Sequence, residues 1–201
     1  MTSAAPSPER PRVRRPSLLG RFRRDARGAY AIEFGLIALP FFGLLCGTLE
    51  VAWVNFNAEQ LQAAVDRAAR QVLTGQAQTN NYAAVGAFTS ALLCPTDGTR
   101  LLPTSWDCSK LIVDVRTATA FASADTSRTF YTGATQYCLG NPSTVVVLRV
   151  AYPMSAVFPL SIYNRYVGLA NDVPNMPGWY HILIGTAVFK TEPYSGSSPT
   201  C

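Results

Sequence analysis

An apolar stretch at residues 28–56 constrains the fold of this chain more than any other feature. It reads GAYAIEFGLIALPFFGLLCGTLEVAWVNF and contains an uninterrupted run of 16 residues without a charge. A helix needs roughly 20 mostly apolar residues to cross about 30 Å of hydrocarbon, whereas a secretory signal peptide has an apolar region of only about 7–15 residues. The sequence therefore predicts a transmembrane helix at residues 29–56, in which Glu33 and Glu50 are the only charged side chains.

The positive charge of the chain is concentrated before this stretch. The net charge is +5, but residues 1–28 hold eight arginines against two acids, so the remainder is close to neutral. A basic segment beside a membrane helix marks the cytoplasmic side. The remainder has no basic stripe interleaved with aromatic residues, which argues against a nucleic-acid partner. Residues 1–20 are rich in proline, serine and arginine and are predicted to be disordered.

The start of the apolar stretch carries a motif. Gly28 is separated by four residues from Glu33 and Phe34, which open an aliphatic run. This pattern resembles the class III signal of type IV pilin-like proteins. More closely, it resembles the start of the TadE family, which are minor pseudopilins of the tight-adherence (Tad/Flp) pilus system. Gly35 stands where the family commonly has alanine, and Glu50 supplies the later acidic residue.

The resemblance implies that a prepilin-type peptidase cuts between Gly28 and Ala29, so that residues 1–28 are a leader that is removed. A free α-amino group on Ala29 is charged at neutral pH. An isolated carboxylate in an apolar helix is costly, and we therefore expect this amine to pair with Glu33. The pair could form within one chain, because the two residues are one helical turn apart, or between neighbouring subunits.

The resemblance also implies a role in pilus biogenesis and surface adherence. The chain would be a single-pass protein of the bacterial inner membrane, with a cytoplasmic amino terminus and an extracytoplasmic head. Its expected partners are the membrane, the prepilin peptidase and other pilins or pseudopilins of the Tad system. Its size favours a minor component, because the major Flp pilins are much shorter. Whether it enters the fibre or stays in the membrane complex is left open.

Two alternatives are retained. One is an uncleaved single-pass anchor that carries an extracytoplasmic binding or sensor domain. The other is a secreted enzyme held by a signal anchor.

Three residues within the span bear on its packing. Gly43 and Gly47 form a small-xxx-small pair that allows close contact between helices, although the general enrichment of glycine in membrane helices explains the same pair. Pro40 removes one backbone hydrogen bond and is expected to bend the helix.

The helix is predicted to continue beyond the span as an amphipathic segment at residues 57–75. Small and apolar residues recur there at three- and four-residue steps, and Gly75 supplies a C-cap. One helix over residues 30–74 would be roughly 65 Å long at 1.5 Å per residue. The apolar stripe consists of Leu61, Ala64, Val65, Ala68, Ala69, Val72 and Leu73.

Residues 76–201 are predicted to form a head of the α+β class. A polar linker at residues 76–81 and a short helix at residues 82–93 precede three consecutive strands, a pattern that favours an antiparallel sheet with helices on one side. The strands are expected at residues 110–116, 144–152, which would be central, and 180–191. A short extra strand near residues 128–132 is considered, as is a helix or a hydrophobic loop at residues 155–166 that packs on the sheet or the membrane surface.

Four cysteines lie beyond the span, on the oxidising side of the membrane by the charge rule, and they suggest two disulfides with three possible connectivities. We favour Cys94–Cys108 and Cys138–Cys201. The chain has no Cys-x-x-Cys motif and His181 is its only histidine. Neither a metal site nor a cofactor is therefore predicted.

No spacing of residues marks a catalytic site. A Ser-His-Asp or Cys-His arrangement would need His181, whose neighbours indicate strand packing, and the acidic residues are scattered. Neither catalysis nor a small-molecule substrate is therefore predicted. Several aromatic residues of the head are more typical of a core than of a binding platform: Tyr152, Phe158, Tyr163, Tyr166, Trp179 and Tyr180.

Overall fold

The computed structural model describes residues 27–82, 84–157 and 169–195. Its first element is a 47-residue helix, α1, at Arg27–Leu73, with Pro40 inside it. Helix α1 includes both the apolar stretch and most of the amphipathic continuation, so the prediction of one long helix is confirmed. The chain divides into two units, residues 1–45 and residues 46–201. The second unit contains the head.

Two short helices follow α1. Helix α2, at Gln76–Thr79, is found where a polar linker was predicted. The segment is held against the head by the buried side chain of Gln78. Its Nε2 atom donates hydrogen bonds to the backbone oxygens of Val72 and Leu139, 3.2 and 3.0 Å away. Helix α3, at Val85–Phe88, continues as a π-helical turn at Thr89–Leu93. The predicted second helix is thus present, but it begins later than expected.

The head contains a three-stranded antiparallel sheet in the order β1-β2-β3. The strands are β1 at Ile112–Ala118, β2 at Val145–Ser155 and β3 at Tyr180–Lys190. The α+β class, the three strands and the central position of β2 agree with the sequence prediction. The extra strand considered near residues 128–132 is wrong, because Phe130–Thr132 forms a 3-10 turn.

The amphipathic part of α1 packs on one face of this sheet. The predicted stripe of α1 is buried, apart from a half-buried Leu73, and it shares a core with alternate residues of the strands. Gly185 of β3 lies against α1, and an added Cβ atom there would lie 2.7 Å from Cγ2 of Val65. Gly185 is therefore the position at which the helix can approach the strand. The sheet residues of this core include Val113, Val115, Val146, Leu148, Val150, Tyr152, Met154 and Leu183.

Strand β3 follows the direction of α1. The side-chain amide of Gln62 exchanges two hydrogen bonds with the backbone of Thr186, at 3.1 and 3.2 Å. Further along, the backbone N–H of Glu192 donates to the carbonyl oxygen of Leu73 at 2.9 Å. Later residues of β3 therefore contact later residues of α1.

The disulfide between Cys94 and Cys108 is present and confirms the first predicted pairing. Trp106, two residues before Cys108, stacks its ring on Tyr152 with centroids 3.8 Å apart. The second predicted pairing includes Cys201, which lies outside the described residues, so that pairing stays a prediction.

The aromatic residues expected in the core behave differently from one another. Tyr152 is buried as predicted, and Tyr180 is half-buried. Trp179 is 40% exposed, so its assignment to the core is wrong. It immediately precedes β3, where its side chain is not covered by the sheet. Phe158, Tyr163 and Tyr166 lie outside the described residues, as does most of the predicted helix or loop at residues 155–166.

Replacing Gly185 by alanine is expected to destabilise the head. The new methyl group would collide with Val65, a β-branched residue with little freedom to move, and overpacking of this kind costs about 1–3 kcal/mol. Thermal unfolding of the full chain in detergent measures the effect. Gly133→Ala is the matched control, because Gly133 has open space at its Cβ position. Val65→Ala in the Gly185→Ala background should recover part of the loss, and equal stability of Gly185→Ala and the parent chain would contradict the packing described.

Candidate functional site

The amino-terminal part of α1 exposes apolar side chains that a soluble helix would bury. Among the described residues, α1 is the one helix long and apolar enough to cross a membrane, and its apolar window is not buried in the chain. This exposure suggests membrane anchoring. The exposed large side chains are Tyr30, Ile32, Phe34, Leu36, Ile37, Leu39, Phe41, Phe42, Leu44, Leu45, Leu49, Val51, Trp53 and Phe56.

The predicted processing and assembly residues lie on this exposed helix. Gly28 is in its first turn, and the side chains of Glu33 and Phe34 are exposed. Within the part of the chain that the structure describes, Glu33 has no hydrogen bond or ion pair. A carboxylate on an apolar helix needs a counter-charge when lipid or protein surrounds it. The described residues supply no such counter-charge to Glu33.

Packing against the described residues does not explain the glycines of this segment. Gly28, Gly43 and Gly47 all have open space where a Cβ atom would stand. At Gly75, by contrast, a Cβ atom would lie 2.5 Å from the ring of Tyr194, and φ is +77°. Any requirement for small side chains in the apolar segment therefore has to come from something that packs against the chain.

The second carboxylate of the span, Glu50, has partners in the head. Its Oε1 atom lies 3.1 Å from Nε2 of His181 and accepts a hydrogen bond from the backbone N–H of Val157 at 3.2 Å. The side chains of Glu50 and His181 are each 16% exposed. The contact joins α1 to the first residues of β3 and to the residues after β2. Two carboxylates in one apolar stretch thus have different environments.

Sequence reasoning missed this contact. It treated His181 as a strand-packing residue and Glu50 as a family feature. The available signal was that the chain has one histidine and only two acids within its apolar stretch. Nothing in the spacing of residues 50 and 181 could pair them, because the pairing depends on how β3 lies along the helix.

A buried charge cluster lies on the sheet face opposite to α1. Asp114 of β1 and Arg149 of β2 are direct cross-strand partners and are 0% and 1% exposed. The Arg149 guanidinium donates to Asp114 Oδ2 through Nη2 at 2.6 Å and through Nε at 3.1 Å. Asp114 also accepts bonds from Nε of Arg116 and from the backbone N–H of Gln136. A buried charge needs such complete pairing.

The cluster holds the segment between β1 and β2 against the sheet. Nη1 of Arg149 donates to the backbone oxygen of Ser127 at 3.1 Å and lies 3.2 Å from a carboxylate oxygen of Asp125. The ring of Phe130 covers the Arg149 guanidinium, with its centroid 4.8 Å from Cζ. A hydrogen bond from the backbone N–H of Ser127, helped by Arg149 and Arg116, holds the pKa of Asp125 below its usual value. This contribution to stability is present at neutral pH and is lost as the pH falls through the lowered pKa.

These charges do not form a reactive site. The Asp114 carboxylate is surrounded by its donors and closed to solvent, so a bound molecule could not reach it. Among the described residues, no group of three or more His, Cys, Asp or Glu side chains is placed to hold a metal ion. A groove lined by residues 117–121, 143–145 and Lys190 offers hydroxyl groups and one amine, without a carboxylate, thiol or imidazole among its lining residues.

Comparison with known proteins gives one family. A family model described as TadE, TadE-like protein, matches residues 28–70. The match begins at Gly28 and ends inside the amphipathic part of α1, so it covers the motif and leaves the head outside. It confirms the resemblance found in the sequence and suggests a protein associated with the Tad pilus. Neither curated proteins nor solved structures gave a match.

Glu50→Ala is expected to loosen the junction between α1 and the head. The variant removes the acceptor of the Val157 N–H and the partner of His181, interactions worth about 1–3 kcal/mol together. Hydrogen exchange of the full chain in detergent should show faster exchange at Val157. Glu59→Ala, an exposed acid on the same helix, should leave this rate unchanged. Unaltered protection of Val157 in Glu50→Ala would contradict a structural role for the contact.

Asp114→Asn is expected to destabilise the head strongly. The substitution leaves the buried guanidinium of Arg149 with only the exposed carboxylate of Asp125 as a counter-charge, and breaking a buried pair in this way costs about 3–5 kcal/mol. Thermal unfolding should show this loss of stability. Asp97→Asn, which changes an exposed acid, should have a stability close to that of the parent chain. The double variant Asp114→Leu/Arg149→Met removes both charges and should lose less than Asp114→Asn. A double variant as unstable as the single one would show that the charge itself is not the cause.

Proposed function

We propose that this chain is a minor pseudopilin, or assembly component, of a Tad (Flp) pilus. The observation that carries the proposal is the coincidence of three features at one place. The TadE-like match begins at Gly28, the helix that follows exposes apolar side chains around its circumference, and a carboxylate without a partner in the described residues, Glu33, lies five residues later. A processed pilin-like helix needs each of these features.

The proposed maturation is cleavage after Gly28 by a prepilin-type peptidase. The leader, residues 1–28, carries eight arginines and would remain on the cytoplasmic face, as the distribution of positive charge favours. Cleavage makes Ala29 the amino terminus. The chain then spans the inner membrane once at residues 29–56, continues as an amphipathic helix at residues 57–75, and places residues 76–201 outside the cytoplasm.

The new amine provides the counter-charge that Glu33 lacks. Within one chain, the two groups are one helical turn apart. Between chains, the same pair would set the axial register of neighbouring helices. In a low-dielectric environment, either ion alone is more costly than the pair. Phe34, Gly43 and Gly47 would contribute to the surface on which other pilins or pseudopilins pack, because none of them has packing within the chain that accounts for it.

The head is suited to an oxidising compartment. Its Cys94–Cys108 disulfide is of the kind that persists outside the cytoplasm, and Cys138–Cys201 is proposed as a second disulfide. The described part of the head has no arrangement of side chains suited to catalysis, so we propose contact with other pilus components as its role in adherence. Neither a substrate nor a cofactor enters the proposal.

The test is the amino terminus of the mature protein. In cells that contain the prepilin peptidase, sequencing of the membrane-extracted chain should begin at Ala29. Gly28→Val should remain full-length, since the residue before the cut is altered. Glu33→Ala should be cleaved but should assemble few pili, because the amine of Ala29 then lacks its partner at a cost of roughly 3–5 kcal/mol.

Gly35→Ala is the matched control, since Gly35 also has open space at its Cβ position and the substitution keeps the charge pair. It should be cleaved and should assemble pili normally. A chain that begins at Met1 or Thr2 in the presence of the peptidase would favour the alternative of an uncleaved anchor with a binding or sensor head. Normal piliation of Glu33→Ala would contradict the proposed charge pair. It would not contradict the proposed cleavage after Gly28.

A further inference from the structure

The contacts between β3 and residues 50–73 of α1 show which end of the sheet lies beside Glu50. His181 contacts Glu50, Gly185 faces Val65, and the backbone of Glu192 bonds to that of Leu73. Moving toward the start of β3 therefore means moving toward the start of α1. The end of β2 lies at the same level, because Ser155 pairs with Tyr180.

The level of Glu50 is set by the length of the apolar stretch. Residues 30–49 number 20, which is the length a helix needs to cross roughly 30 Å of hydrocarbon. Glu50 is the first acid after them, and Trp53, which is 50% exposed, lies one helical turn later. Tryptophan is enriched at the boundary between membrane and water. In an inserted chain, the hydrocarbon ends at Glu50 and Trp53, and the remaining residues of the 29–56 span lie in the headgroup region.

Two apolar side chains of the head are exposed at this same level. Val157 is 50% exposed and Trp179 is 40% exposed. Both positions are tied to Glu50: Val157 donates its backbone N–H to Glu50, and Trp179 lies two residues before His181. The indole N–H of Trp179 has no acceptor among the described residues. We refer to Val157 and Trp179 as the membrane-facing rim.

We propose that the membrane-facing rim inserts into the headgroup region of the bilayer, so that the head lies on the membrane surface. The occupant is lipid because the rim is continuous with the apolar helix through Glu50 and lies at the level where that helix leaves the hydrocarbon. A tryptophan ring suits this environment, since its body is apolar and its N–H can bond to headgroup oxygens. The inference rests on the membrane insertion proposed above.

Tryptophan fluorescence can test the proposal, because the chain contains three tryptophans in three different environments. The full chain is reconstituted in phosphatidylcholine–phosphatidylglycerol vesicles in which part of the phosphatidylcholine is brominated near the headgroup end of its acyl chains. Trp106 is buried in the head and is kept in every variant as an unquenched reference. Trp53→Phe then reports on Trp179, and Trp179→Phe reports on Trp53. Trp53→Phe/Trp179→Phe gives the reference signal of Trp106 alone.

We expect the fluorescence of Trp53 and of Trp179 to be quenched and the fluorescence of Trp106 to be unchanged. The matched control adds Phe121→Trp to the Trp106 reference, because Phe121 is 58% exposed and follows the end of β1 that pairs with the start of β2, the end of the sheet far from Glu50. It should not be quenched, and quenching there as strong as at Trp179 would overturn the proposal by showing non-specific contact.

The remaining outcomes separate the two proposals. If Trp53 is quenched and Trp179 is not, the chain is inserted but its head stands clear of the lipid, and the rim proposal fails alone. If neither is quenched, insertion at this level fails and the rim proposal fails with it. If Trp179 is quenched and Trp53 is not, the assigned boundary at Glu50 is overturned.

Discussion

The close approach of α1 to β3 at Gly185 is the constraint on which the rest of the head depends. A three-stranded sheet of this size has too little core of its own, and it gains one by covering the apolar stripe of α1. The absence of a side chain at Gly185 lets Val65 and the backbone of Leu61 come near the strand. The direction of β3 along the helix is fixed by further contacts, the bonds of Gln62 with Thr186 and of Glu50 with His181.

Three acidic residues show how the environment of a carboxylate decides its role. Asp114 is buried and accepts bonds from two arginines and a backbone N–H, so it stabilises the sheet. Glu50 is partly covered and joins the helix to the head. Glu33 is exposed on an apolar helix without a partner in the described residues. Of the three, Glu33 is the one whose partner must be sought outside the described structure. In the proposed function, this is why assembly is assigned to the start of α1 and not to the head.

The helices, the strands and one disulfide could be predicted from the sequence because their signals are local. The apolar run, the three- and four-residue spacing of Leu61, Val65, Ala68 and Val72, and the β-branched run of β2 each depend on residues close in the chain. The Cys94–Cys108 bridge was accessible because it closes a short loop. Trp179 was misplaced, since an aromatic residue beside a strand enters the core only when another element covers it. The strand considered near residues 128–132 failed for a related reason. The backbone oxygen of Ser127 and the ring of Phe130 contact Arg149, which lies in a distant segment of the chain.

The membrane-length helix, the Gly28–Glu33 motif and the class of the head could all be read from residue order, because hydrophobic length, helical period and motif spacing are properties of neighbouring residues. The pairing of Glu50 with His181, the burial of Asp114 with Arg149 and the need for glycine at Gly185 could not. Each of these joins residues 35 to 131 positions apart. Only the pairing of β1 with β2 and the packing of α1 against the sheet bring such residues into contact.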